Sequence, residues 1–247
     1  YRTQQLTGRG EKLKVACAGG SCFVASGTGT AYLERDQRFA AISVDTDAQA
    51  MAQGFALRPD GQVIALHSLP ESRALSISRW NGKTFVRERS FEIATPKDLP
   101  PVVRFADYDP QGRLWIGLAY HDEDGERRPW GIAVLQGSEA PVFHRSTLLP
   151  GEERLPGSLA LPDDVRDLLF RGEEVWLATD TGACRLRGVK VDLFTENEGM
   201  ESELVYDLTT DDRGEVIAAT YGGVGRFDGK LWRFDIGLIG DFAQDLL

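Results

Sequence analysis

The chain has 247 residues, 42% hydrophobic and 27% charged, with a mean hydropathy of -0.27, which suits one globular domain and excludes a mainly disordered, collagenous or integral-membrane polymer. No apolar run reaches the roughly 18 residues that a membrane-crossing helix needs, so membrane insertion of this segment is not expected. A formal charge of -10 and a pI near 4.9 give a surface that repels phosphate backbones, which argues against nucleic acid as a partner.

In chain order, the sequence falls into glycine-punctuated units without helical periodicity. Residues Tyr1–Thr7 read as a last strand of the ring, and a first unit covers about 12–46, with CFVASGTGTAYL (Cys22–Leu33) as its central strands. Cys17 and Cys22 sit five positions apart in one hairpin, a spacing that allows a disulfide without requiring one. A second unit, 50–93, carries RPDGQVIAL from Arg58 and Asn81-Gly82. A third, 102–147, carries DPQGRLWIG from Asp109. The fourth and fifth, 164–198 and 204–236, align over VRDLLFRGEEVWLATDTGACRLRGVKVDLF from Val165 and VYDLTTDDRGEVIAATYGGVGRFDGKLWRF from Val205, a separation of about 40 residues. That alignment pairs Asp167 with Asp207, Thr179 with Thr220 and Phe194 with Phe234. Finally AQDLL (Ala243–Leu247) matches VRDLL, so 242–247 reads as the start of a sixth unit and a closed ring is expected to need residues outside this segment. An opening Tyr1 in place of methionine suggests a processed or excised chain.

Each unit reads as four short antiparallel strands. Gly20, Gly61, Gly112, Gly172 and Gly214 precede equivalent strands, closing polar turns where positive φ is tolerated. The second strand is the most apolar, as in Leu114-Trp115-Ile116 or Val175-Trp176-Leu177, which fits burial on both faces. Asn81-Gly82 and Asp228-Gly229 predict two-residue primed hairpins between third and fourth strands. Four-stranded units repeating at this period predict an all-β fold, a β-propeller, whereas sandwiches lack such a period.

These turns and strands resemble the two-component regulator propeller repeats, whose form runs Asp-x-x-Gly, Leu-Trp-x-Gly-Thr, then a glycine-led Gly-Leu-x-Arg-Phe-Asp-Gly-Lys hairpin. DDRGEVIAATYGGVGRFDGKLWRF from Asp211 matches closely; DPQGRLWIG from Asp109 and RWNGKTF from Arg79 match well. The resemblance implies a non-catalytic sensory or binding module, periplasmic or extracellular, within a larger signalling protein. A cytoplasmic interaction scaffold is the alternative. These motifs build turns and blade contacts, so they specify architecture and leave activity open.

Length beyond the minimum falls at one end of the units, at His67–Ala74, Glu92–Pro101, Ala119–Trp130 and Leu149–Asp164, and long loops on a rigid scaffold carry binding. The most distinctive segment is AYHDEDGERRPW. Arg127 and Arg128 are candidates to clamp a carboxylate, and Trp130 to stack on a ligand. His121, Asp122 and Asp124 complete the candidate site, with His67 expected in the equivalent loop of the adjacent unit. The partner expected is a protein or a small molecule. Asp122, Asp124 and Glu126 lack the closing bidentate glutamate of a calcium loop, the three histidines form no zinc motif, and no cofactor is expected. A magnesium-dependent lyase of the streptogramin type also resembles these repeats, but no matching motif is present. Gly27-Thr28-Gly29 and Gly222–Gly225 read as hairpins, not phosphate loops, and Ser21 and Ser158 lack a nucleophile elbow. Trp115, Trp176 and Phe23 read as core, Trp80 and Trp232 as covers of sheet edges, and Cys184 as a small buried apolar residue.

Overall fold

A computed structural model describes residues 14–18, 21–25, 31–35, 38–42, 44, 51–68 and 72–234. Tyr1–Thr7, Gly20, Gly27–Gly29 and Ala243–Leu247, singled out above, lie outside the described residues. The chain divides into two compact units, residues 1–128 with 133–141, and residues 129–132 with 142–247.

In the first unit, β1 (Lys14–Ala18), β2 (Ser21–Ala25), β3 (Ala31–Arg35) and β4 (Arg38–Ile42) form one antiparallel sheet in chain order, and β5 (Met51–Leu57), β6 (Val63–Ser68), β7 (Ala74–Trp80) and β8 (Phe85–Glu92) form the next. β9 (Pro101–Tyr108), β10 (Leu114–His121), β11 (Arg127–Leu135) and β12 (Val142–His144) make a third four-stranded sheet. In the second unit, β13 (Val165–Arg171), β14 (Glu174–Thr179), β15 (Gly182–Arg187) and β16 (Lys190–Phe194) form a fourth sheet. β17 (Val205–Thr210), β18 (Val216–Thr220), β19 (Gly223–Phe227) and β20 (Trp232–Phe234) form a fifth.

The turns between first and second strands follow from side-chain chemistry. Asp109 accepts the Gln111 and Arg113 N–H groups through Oδ1, at 3.0 and 2.8 Å. Asp211 does the same for Arg213 and Glu215 at 2.9 and 2.8 Å. Gly61, Gly112, Gly172 and Gly214 take φ of 82°, 77°, 60° and 75°, where an L side chain would be strained. The Asn81-Gly82 and Asp228-Gly229 turns differ from the primed two-residue expectation. Asn81 Oδ1 accepts the Lys83 and Thr84 N–H groups, and Asp228 Oδ1 those of Lys230 and Leu231. The loops therefore run four residues, 81–84 and 228–231. Only the glycine has positive φ (93° and 98°), because the Asx side chain takes over the turn-closing acceptor role.

First strands of successive sheets meet within each unit. Four of them carry an irregularity near their start: the register breaks at Ala52/Gly54, at Val165/Asp167 and at Val205/Asp207, and β9 breaks opposite Gly117/Leu118. The bulged Gln53 then bonds across sheets, its Oε1 accepting Val103 N–H at 2.7 Å and its Nε2 donating to Pro101 O at 3.2 Å.

The apolar core lies between sheets. Phe23 is fully buried and its ring meets Trp80, Phe85 and Phe55 of the next sheet at centroid distances of 5.1, 5.5 and 6.0 Å. Trp176 occupies the equivalent place in the second unit, against Phe227 at 5.0 Å and Trp232 at 6.0 Å. Trp80 and Trp232 are thus components of the inter-sheet aromatic clusters, not edge covers. Edge-to-face contacts of this kind add to the area term, so neither sheet of a pair buries its apolar face alone.

Candidate functional site

AYHDEDGERRPW is a β-hairpin extension of β10 and β11, closed by Asp122–Glu126. Asp122 is the structural pivot: its backbone exchanges bonds with Glu126 and Gly125, and its Oδ1 accepts the Asp124 and Glu126 N–H groups. Its Oδ2 accepts from Arg128 Nε at 2.6 Å, and that guanidinium holds the carboxyl below the usual aspartate range. Arg128 is therefore engaged within the hairpin. Arg127 and Arg128 are successive residues of one strand and point to opposite faces, so they do not form a two-arginine clamp. His121, Asp124 and Arg127 are exposed at or beside the tip.

The structure disperses the other candidates. His67 is a fully buried residue of β6, its Nε2 2.8 Å from Ser78 Oγ, and not part of a loop. His67 and His121 are not brought together, because one lies inside a sheet and the other in solvent. Trp130 belongs to the second unit, is 3% exposed, and has the Arg145 guanidinium over its ring at 4.4 Å. Arg145 is itself buried, and its Nη2 donates to both oxygens of Glu152 at 2.6 and 2.7 Å. The segment after β12 is further fastened by Asp163, which accepts from Ser146 and Thr147, and by Leu159 N–H donating to His144 Nδ1 at 2.9 Å. Among the described residues no group of three or more His, Cys, Asp or Glu side chains is placed to hold a metal ion.

Beside the hairpin tip, within the first unit, the crossing from β8 to β9 contains a feature that sequence reasoning missed. Lys97 and Asp98 take φ of 53° and 57°, the described non-glycine residues with positive φ. Each is held by an ion pair, Lys97 Nζ to Glu123 Oε1 at 2.7 Å and Asp98 Oδ1 to Arg73 Nη1 at 2.6 Å. Both pairs are largely exposed, so each contributes little, while each left-handed residue costs about 1–2 kcal/mol. Pro96 is the legible signal for an irregular crossing, but nothing local marks the two residues after it.

A second missed feature joins β13 and β17. Leu208 N–H is shared between Asp167 Oδ2 at 3.2 Å and Asp207 Oδ1 at 2.9 Å. Two carboxyl groups thus converge on one donor. Burial, reinforced by Asp207, pushes the Asp167 carboxyl well above its ordinary value, so Asp167 keeps its proton at pH values where a free carboxyl has lost it. The residues paired with them across the sheets are Ala178 and Ala219, which supply no countercharge. At the other end of the same sheets a recess is lined by Arg171, Glu215, Val216, Phe227, Asp228 and Gly229. Its charges are already paired, Arg171 with Glu174, Glu215 with Arg226 and Asp228 with Arg233.

No family model and no curated protein matches the sequence. Solved structures do match. The extracellular domain of a putative hybrid two-component system from B. thetaiotaomicron is similar with a TM-score of 0.60 and 18% identity, covering 92% of this chain and 29% of that one. The WD40 β-propeller domain of Doa1 gives a TM-score of 0.57 at 12% identity, covering 94% and 72%. The chain has the β-propeller fold. Virginiamycin B lyase from Staphylococcus aureus is similar to the same degree, with a TM-score of 0.53 at 10% identity over 90% and 68%. The chain spans less than a third of the first of these proteins.

In the terms of a propeller, each four-stranded sheet is a blade. The β10–β11 hairpin joins second to third strand of one blade, and Thr95–Leu99 is a crossing between blades. Both therefore belong to the end of the blades where the long connections emerge. No helix among the described residues is long and apolar enough to cross a membrane. Cys17 and Cys22 face each other across β1 and β2 and are joined as a disulfide.

Proposed function

We propose that this chain is a non-catalytic binding module of a sensory or signalling protein, recognising a protein partner or a polar small ligand at its long-connection end. The observation that carries this reading is the strained pair Lys97-Asp98 beside the exposed hairpin tip, tied to Arg73 and Glu123 by ion pairs too weak to repay its backbone cost. A partner that replaces those weak pairs with desolvated ones gains the difference. Arg73, Lys97, Asp98, Glu123 and Arg127 form the recognition surface, with His121 and Asp124 at its rim. This reading moves the site from the predicted His67, Asp122, Arg128 and Trp130, which are committed to the fold.

The extracytoplasmic placement is supported by the Cys17–Cys22 bridge, since such bonds persist in oxidising compartments, and by the similarity to the extracellular domain of a putative hybrid two-component system. The complete ring, and its number of blades, are proposed to include residues beyond this segment.

The test is calorimetric titration with charged probes, namely uronic-acid oligosaccharides and acidic and basic peptides, against the chain and its Lys97→Ala/Glu123→Ala variant. Binding that the double substitution weakens by about tenfold or more supports the assignment. A probe bound equally by both proteins places recognition elsewhere.

A further inference from the structure

We infer that Asn81 is a site of spontaneous covalent modification: in the folded chain the Gly82 nitrogen attacks the Asn81 side-chain amide, ammonia leaves, and water opens the cyclic imide to give an aspartate at position 81. Neither residue belongs to the recognition surface proposed above. Both lie exposed in the turn between β7 and β8. Asn81 Oδ1 accepts the N–H groups of Lys83 and Thr84, each at 2.9 Å. A side chain that reaches the second and third N–H groups ahead folds back over the peptide between, which brings Cγ towards the Gly82 nitrogen. Gly82 adds no hindrance. A Cβ built on it would meet nothing within 4 Å, and among the described residues its N–H donates to no protein group.

The same two donors serve the reaction. Hydroxide or water removes the Gly82 amide proton, and the nitrogen lone pair forms a bond to Asn81 Cγ. The negative charge then moves onto Oδ1, where the Lys83 and Thr84 N–H groups already point, the arrangement that stabilises a developing oxyanion. The Cγ–Nδ2 bond breaks as the charge returns, and Nδ2 takes a proton from water and leaves as ammonia. Water opens the five-membered imide by breaking the N–Cγ bond, which gives aspartate, or the bond to the main-chain carbonyl carbon, which gives an isoaspartyl linkage. Nothing is oxidised or reduced: one water enters and one ammonia leaves.

The fifth sheet carries the aspartyl form of this turn. Asp228 precedes Gly229 and its Oδ1 accepts the Lys230 and Leu231 N–H groups at 3.0 and 2.9 Å. In both turns the first residue's N–H donates to the carbonyl three residues on, at 3.1 Å. The Leu231 and Lys230 N–H groups hold the Asp228 carboxyl below the usual range, so this turn favours a charged acceptor. An aspartate at position 81 therefore keeps every bond that Asn81 makes, and the conversion adds one negative charge without unfolding the hairpin. The chain supplies its own control in Asn197, its other asparagine. The nitrogen that would attack there is that of Glu198, which carries a side chain and donates its N–H to Thr195 O at 3.0 Å.

Incubation of the full chain in mildly alkaline buffer, followed by peptide mapping with mass spectrometry, tests the assignment, with the free peptide RWNGKTF as the clock. Asn81 is expected to exchange NH for O, in proportion to hydroxide concentration and about tenfold or more faster than Asn197, while circular dichroism stays that of the fresh chain. Asn81→Asp, made directly, is expected to keep the wild-type urea midpoint, and Asn81→Ala, which leaves two N–H groups without their acceptor, to lower it. An Asn81 that is intact in the folded chain when the free peptide has converted, an Asn197 that converts as fast, or an Asn81→Asp midpoint as low as that of Asn81→Ala overturns the inference.

Discussion

The raised carboxyl of Asp167 gives stability a pH dependence opposite in sign to that of most carboxylates. A carboxyl whose pKa is raised on folding binds its proton more tightly in the folded chain than in the unfolded one. Stability is therefore greatest below the ordinary carboxylate range and falls as pH rises towards the raised value. Burial and Asp207 place Asp167 in this class. One proton gives a slope of at most about 1.4 kcal/mol per pH unit. Between about pH 5 and pH 7 the loss approaches roughly 3 kcal/mol, or about 6–12 °C in Tm. Asp192, Asp211 and Asp228 have lowered values, set first by Lys190 and by the backbone N–H groups of Glu215 and Leu231 respectively. Their titration lies below the ordinary range and leaves this window clear. Asp107, raised by burial, adds a slope of the same sign. Asp167→Asn supplies an amide N–H to the Asp207 carboxylate and keeps an oxygen for Leu208 N–H, so no proton must be recruited. Urea unfolding at half-unit pH steps should show the slope reduced in Asp167→Asn, with the variant overtaking the wild type near neutral pH. A slope that survives unchanged in Asp167→Asn refutes the raised Asp167 carboxyl.

Further substitutions probe the inter-sheet packing and the cysteines. Trp176→Ala removes the centre of the second unit's aromatic cluster and should cost about 3–5 kcal/mol in denaturant unfolding. Gly117→Ala drives a methyl group into the Phe105 ring and should cost about 1–3 kcal/mol in denaturant unfolding. Alkylation without reductant should modify one cysteine of the unfolded chain and none of the folded chain. Cys17 and Cys22 are bridged, and burial pushes the Cys184 thiol up to about 12. Three modified cysteines in the unreduced, unfolded chain would refute the bridge.

Much of the fold was legible because repetition converts weak local signals into a pattern. The glycines before the second strands take the positive φ that the polar turns require, and the aligned Phe23 and Trp176 are centres of equivalent clusters. The same alignment places Asp167 over Asp207, but convergence of both on one N–H depends on how two sheets meet, which no local pattern carries. The site was less legible. His67 sits in VIALHS, where a polar residue in an apolar strand is as easily read as its end, and its partner Ser78 lies on the neighbouring strand. Trp130 looked available because Arg145, which covers it, is distant in sequence. Asp122 and Arg128 looked like ligands because a carboxylate that closes a turn has the same composition as one that waits for a cation.

The aromatic residue of one sheet finding its partners on the next has a consequence for how such a chain tolerates rearrangement. Gain or loss of one whole sheet leaves every remaining interface with a matching face, whereas a break inside a sheet leaves Phe23 or Trp176 facing water on one side. Change in such a molecule is quantised in lengths of one sheet, and a protease that cuts between sheets should release pieces that still fit together, while one that cuts within a hairpin should not.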